Sequence, residues 1–141
     1  MSEISKDIVT SKIEITKDDA LGKSEIDTEI INRKIFLLSC SEVGIQDSIN
    51  MPKEGKMLKY FKKSENRKVY IDGKDSSWWL RTPNTYYLSC TYVIGANNKI
   101  GTTNAYDKNG VRPAFCCIKL FLYILFFSPF NHIHQHVHNY C

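Results

Sequence analysis

Apolar residues along this chain gather into short runs of strand length, punctuated by Gly, Asn, Asp and Pro. Residues 12–16 alternate apolar and polar, the period of a half-buried strand, whereas Ile4, Ile8 and Val9 carry the spacing of a short helix. The polar text over 17–28, with Gly22 inside it, reads as a loop. Residues 34–39 (Lys-Ile-Phe-Leu-Leu-Ser) form a compact apolar run that predicts a central strand buried on both faces. Ser39 and Ser41 are placed to cap a short helix opening at Glu42, with Gly44 limiting its length. A second helix is expected over 56–63, where Met57, Leu58 and Phe61 share one side and Lys56, Lys59, Lys62 and Lys63 the other.

The second half of the chain reads as strand and turn. Residues 69–71 make a short edge segment ended by Asp72-Gly73. Trp78, Trp79, Leu80 and Arg81 are stopped by Thr82-Pro83-Asn84. Residues 86–94 are β-branched and aromatic, with Leu88, Cys90, Tyr92 and Ile94 on one face; 95–98 turn and 99–103 return. Asn109-Gly110 is a turn dipeptide, and 111–115 give a last strand in which Pro113 implies an edge or an amide facing away. The pattern predicts an α+β domain, a twisted antiparallel sheet with one or two short helices. Its core spans 34–116; residues 1–33 form an acidic helix/strand and loop belonging to the same domain, and 117–141 an atypical tail.

A length of 141 residues suits one domain, and 43% apolar with 24% charged residues is ordinary globular composition. The net charge of +4 is unevenly spread: residues 1–31 hold eight acids against four lysines, and 53–74 hold eight basic residues against three acids. Lys59, Lys62, Lys63 and Arg67 fit one helical face, but no nucleic-acid-binding motif accompanies them, so a solvated face is expected rather than a nucleic-acid partner. The five cysteines include no Cys-x-x-Cys pair. Cys40 and Cys90 sit in apolar runs where a free thiol packs as a small hydrophobe, which suits a reducing compartment. The N-terminus has no secretory-type apolar stretch, so the default location is cytoplasmic.

The tail is different text. Residues 116–127 are almost wholly apolar apart from Lys119, and His132, His134, His136 and His138 follow at every second position. The apolar stretch 114–127 is fourteen residues, short of the roughly twenty that span a bilayer. The four histidines would share one face of a strand and suit zinc or nickel as a weak alternative. The tail also lacks Gly and acidic residues, as a frameshift or read-through would. No metal or other cofactor is expected.

Trp78, Trp79, Arg81, Tyr87 and Arg112 are the candidate ligand-binding residues. A guanidinium beside stacked aromatic rings can hold an anion or a carboxylate bidentately. The competing reading is internal: indoles fill the core and each arginine pairs with a local acid such as Asp72, Asp75 or Asp107. No catalytic residues can be assembled, because every histidine lies in the tail.

The spacing of 34–39, Ser-Glu-Val-Gly (41–44), Tyr60-Phe61, Ser-Trp-Trp-Leu-Arg-Thr-Pro (77–83) and Asn-Gly-Val-Arg-Pro-Ala-Phe (109–115) resembles a family of bacterial domains of unknown function common in gut Firmicutes. The resemblance covers about residues 4–116. It implies a distant C-type-lectin-like fold, shared with the formylglycine-generating enzymes, in which a Trp-rich strand pairs with a terminal Gly-Val-Arg strand. Members begin further upstream and continue in a polar manner, so this chain is expected to be N-terminally incomplete and altered at its end. Thr82-Pro83-Asn84 faintly resembles the lectin sugar motif but lacks its carboxylate, which disfavours calcium-dependent sugar binding. The copper-holding cysteine pair of the enzymes is not matched by adjacent Cys116 and Cys117. The resemblance therefore implies a non-enzymatic binding or structural module for a protein or glycan. The alternatives are a degenerate enzyme of the formylglycine-generating type, or a non-functional gene fragment.

Overall fold

The computed structural model describes residues 7–17, 26–45, 51–87 and 89–118. Among these, strands β1 (Ile8–Val9), β2 (Ser11–Thr16), β3 (Thr28–Arg33) and β4 (Phe36–Leu37) come first. Two 3-10 turns, Lys59–Lys62 and Ser64–Arg67, precede β5 (Val69–Ile71), β6 (Lys74–Ser76) and β7 (Trp78–Pro83). β8 (Cys90–Ile94), β9 (Ile100–Asn104), β10 (Pro113–Ala114) and β11 (Cys116–Cys117) complete the order. The domain is thus mostly β, in small antiparallel sheets: β2 with β3, β5 with β6, β4 with β10, β1 with β11, and the three-stranded β7-β8-β9. None of its described helices is long and apolar enough to cross a membrane.

The helical share of the expected α+β class is corrected. Over 56–63 only the 3-10 turn Lys59–Lys62 forms. Gly55 takes φ +79°, and the Leu58 amide is already bonded to the Glu42 carbonyl at 3.0 Å, so no regular helix can start there. Leu58 at the turn's N-cap is extended and has no side-chain cap; Phe61, buried at 3% exposure, is what holds the turn. The Ile8–Val9 segment is a strand, not a helix, because it pairs antiparallel with Cys116 and Cys117. Ile4 lies outside the described residues.

The 34–39 run is not a central strand. Only Phe36 and Leu37 pair, with Ala114 and Pro113 in a two-stranded ribbon, and Ile35 is 60% exposed. Both strands of such a ribbon are edges, where Pro113 fits. The chain then enters a single tight turn. The Glu42 amide donates to Ser39 Oγ at 3.1 Å and the Ser39 amide to Glu42 Oε2 at 3.0 Å, a reciprocal capping box. Its end is a Schellman closure: the Ile45 amide bonds the Cys40 carbonyl, and the Gly44 amide bonds the Ser41 carbonyl, with Gly44 at φ +78°.

Strand β7 carries the core. Its burial alternates, with Trp78, Leu80 and Thr82 inside. Trp78, Leu80 and Ile94 pack with Leu38, Cys40, Val43 and Phe61 in one cluster. Within β8, Tyr92, Val93 and Ile94 are all buried; Leu88 lies outside the described residues. The β7-β8 register shifts between Trp79 and Pro83, a bulge that takes Leu80, Arg81 and Thr82 out of the backbone ladder with β8, where the Thr91 hydroxyl donates to the Thr82 carbonyl at 2.7 Å instead. The freed backbone is taken by the neighbouring segment: the Arg81 amide donates to the Leu38 carbonyl at 2.9 Å.

Candidate functional site

Two arginines in proline-flanked strands end in opposite situations. Arg81, aimed by the β7 bulge, is almost wholly used inside the fold. Its Nη1 and Nη2 hold Glu42 Oε2 and Oε1 at 2.6 and 2.8 Å. Nη1 also donates to the Leu37 carbonyl at 2.8 Å and Nε to the Glu14 carbonyl at 3.1 Å. One guanidinium thereby ties β2, β4 and the 40–44 turn to β7.

A second carboxyl group sits beside this pair. Glu54, 1% exposed, places Oε2 3.9 Å from Arg81 Nε. Glu54 Oε1 accepts the Thr16 amide at 2.7 Å and the Thr16 hydroxyl at 2.8 Å, and Oε2 accepts the Thr82 hydroxyl at 2.7 Å. Thr82 Oγ1 in turn accepts the Cys40 amide at 2.9 Å. Glu14 closes the set, accepting the Gly55 amide at 2.8 Å and the Thr28 hydroxyl at 2.6 Å. The Thr28 hydroxyl and the Gly55 amide hold the Glu14 carboxyl below the usual carboxylate value. Burial pushes the Cys40 thiol up to about 12, helped by the nearby Glu54. The polar groups here have partners, the condition for holding charges out of water. This cluster is a brace.

Arg112 is placed differently. The Arg112 guanidinium carbon lies 5.1 Å from the Trp78 ring centroid, 5.2 Å from Phe61 and 5.9 Å from Tyr60. Nη1 donates to the Asn66 carbonyl at 3.0 Å. Among the described residues no carboxylate pairs with it, so the expected local acids are not its partners: Asp107 instead accepts the Asn104 amide at 3.0 Å and the Thr103 hydroxyl. Arg112 opens onto a cleft of about 380 Å³. Leu38, Leu58, Tyr60 and Phe61 line it together with Pro113, Ala114 and Phe115.

The remaining candidates lie apart from this cleft or beneath it. Trp78 is fully buried and donates Nε1 to the Arg67 carbonyl at 2.8 Å. Trp79 is half-buried on the other face of β7. Tyr87 is 60% exposed and meets Tyr86 edge-to-face at 4.9 Å, both amides being held by Asn84 Oδ1 at 2.9 Å. Among the described residues no cluster of His, Cys, Asp and Glu could hold a metal, and Cys40, Cys90, Cys116 and Cys117 are free. The four histidines lie outside the described residues.

Sequence reasoning missed Glu42 and Glu54 as the carboxyl partners of Arg81, and missed the cleft. The capping spacing Ser39-x-x-Glu42 was the available local signal for the first.

The Trp-rich strand meets the Gly-Val-Arg segment through a parallel bridge from Trp78 to Gly110, and the Trp79 amide donates to the Gly110 carbonyl at 3.0 Å. The family described as Domain of unknown function (DUF6273) matches residues 1–119. The chain belongs to that family. The match spans every described element of this DUF6273 domain, including β11, whose Cys116 and Cys117 pair with β1. No curated protein and no solved structure matches the chain.

Proposed function

We propose that this DUF6273 domain is a non-enzymatic binding module whose ligand is a segment of another protein, seated in the cleft beside Arg112. The observation that carries the reading is a guanidinium packed against aromatic rings at an apolar cleft, with no carboxylate partner among the described residues. The cleft volume of about 380 Å³ lies in the range of ligand pockets and suits a side chain or two. Its described lining supplies apolar surface and one cation, and no carboxyl, thiol or imidazole group. Sugars are recognised through their hydroxyls, and these walls offer few partners for them, so a peptide fits better. A distant C-type-lectin-like relationship belongs to the same proposal, supported by the Trp78–Gly110 bridge.

A glycan reading has one observation of its own, the exposed Tyr86 and Tyr87 rings, 69% and 60% accessible. Probing the chain on peptide and glycan arrays separates the two. The expected result is peptide binding abolished by Phe115→Asp and unchanged by Tyr87→Ala. Glycan binding lost in Tyr87→Ala would transfer the site to the tyrosines, and turnover of any bound ligand would overturn the non-enzymatic reading.

A further inference from the structure

Arg112 Nη1 is committed to the Asn66 carbonyl, while its Nε and Nη2 have no partner among the described residues and are not buried. Arg112 lines the apolar cleft, its guanidinium packed beside the Trp78, Phe61 and Tyr60 rings. A guanidinium held this way has lost little freedom and keeps free donors in the fork geometry that matches a carboxylate.

The segment from 53 to 68, which supplies Leu58, Tyr60 and Phe61 to the cleft, carries the same sign. Exposed charges from 53 to 68 are Lys53, Lys56, Lys59, Lys62, Lys63 and Lys68, against exposed Glu65. The other acid of that stretch, Glu54, is turned inward onto Thr16 and Thr82. Lys59 and Lys62 bracket Tyr60 and Phe61 in the same 3-10 turn that walls the cleft. The exposed charge of the segment that supplies this turn is net positive, which disfavours a basic segment and favours an acidic one.

We infer that the partner segment is acidic: one of its carboxylates pairs with Arg112 while an adjacent apolar side chain fills the cleft. This rests on the peptide-binding reading above and names the chemistry it selects.

The probes are two fluorescein-labelled peptide pools, each with a fixed central Leu or Phe, flanked by Asp and Glu in one and by Asn and Gln in the other. Fluorescence anisotropy with the full chain should show the acidic pool bound at least roughly tenfold tighter. Raising the salt should narrow the difference. Arg112→Gln should remove the preference. Because Arg112 also packs on the core, Lys59→Glu with Lys62→Glu is the second variant: both lysines are exposed, so the fold should persist while acidic binding weakens. Equal binding of both pools overturns the acidic inference and leaves the peptide-binding reading standing. Binding of neither pool by the folded chain overturns both.

Discussion

Arg81 grips Glu42 with both arms of its guanidinium, Nη1 to Oε2 at 2.6 Å and Nη2 to Oε1 at 2.8 Å, across 39 positions of sequence. The two side chains are 9% and 12% exposed, so each charge depends on the other for its place out of water. Removing one side alone, as in Arg81→Met, should cost about 3–5 kcal/mol in urea unfolding. Arg81→Lys should recover only part of that, since an ammonium cannot reproduce the fork. A loss below about 1 kcal/mol, the worth of an exposed pair, would show that the brace is wetter than its geometry implies.

Thr82 Oγ1 works in both directions, giving its proton to Glu54 Oε2 and taking that of the Cys40 amide. Thr82→Val keeps the shape and strands both groups, so it should destabilise by about 1–3 kcal/mol, whereas Thr82→Ser should cost less. Chemical denaturation of the two variants side by side is the check; equal losses would point to packing of the methyl group instead.

Three glycines in left-handed conformation should respond in a graded way to alanine. At Gly73, φ +74°, an added Cβ meets nothing within 4 Å, so only backbone strain of about 1 kcal/mol is expected. At Gly44 the Cβ would come 2.9 Å from Met57 Sδ, the end of a flexible, 46% exposed side chain that can move. At Gly55 it would come 2.9 Å from Glu42 Oε1, which Arg81 pins. Melting temperatures should therefore fall in the order Gly73→Ala least, Gly44→Ala next and Gly55→Ala most.

Cys40 should be chemically silent in the native chain. Its thiol is raised from 9.0 to about 12, chiefly by burial, so almost no thiolate exists near neutral pH. Iodoacetamide followed by mass spectrometry should label exposed Cys117 in the native chain and Cys40 only on unfolding. The sign of the linkage follows: the folded state holds this proton more tightly than the unfolded one. The contribution is present below pH 9 and is lost as the pH rises from 9 toward about 12. Cys40→Ala should flatten that alkaline limb of the stability curve.

The elements written locally were legible. Alternation over 12–16 gave β2, and Asp72-Gly73 marked the end of β5, both turn residues having positive φ, while the returning strand β6 was not read. The serines and glycine of 39–44 read as the cap and end of a short helix opening at Glu42; the cap and the closure are present, but only a single turn forms between them. Strand β3 was not legible: Thr-Glu-Ile-Ile-Asn-Arg has no clean alternation, and Ile30 is 60% exposed, because the strand is defined by pairing with β2. The partner of Arg81 was sought among nearby aspartates and lies 39 residues upstream, since the bulge in β7 decides where the guanidinium points. Arg112 was among the residues singled out, but its aromatic neighbours come from two separate segments, the Tyr60-Phe61 turn and Trp78 of β7, that no spacing rule links to it.

Ile8 pairs with Cys117, and the Ile118 amide reaches the Asp7 carbonyl at 3.0 Å. The chain therefore enters and leaves the described domain at neighbouring points on one two-stranded clasp. Such a unit can be spliced into a surface loop of a host protein without prying its scaffold apart, and it is a natural subject for circular permutation. Tension applied through both ends would also load the clasp before the core, so β1 and β11 would part first and leave the cleft intact.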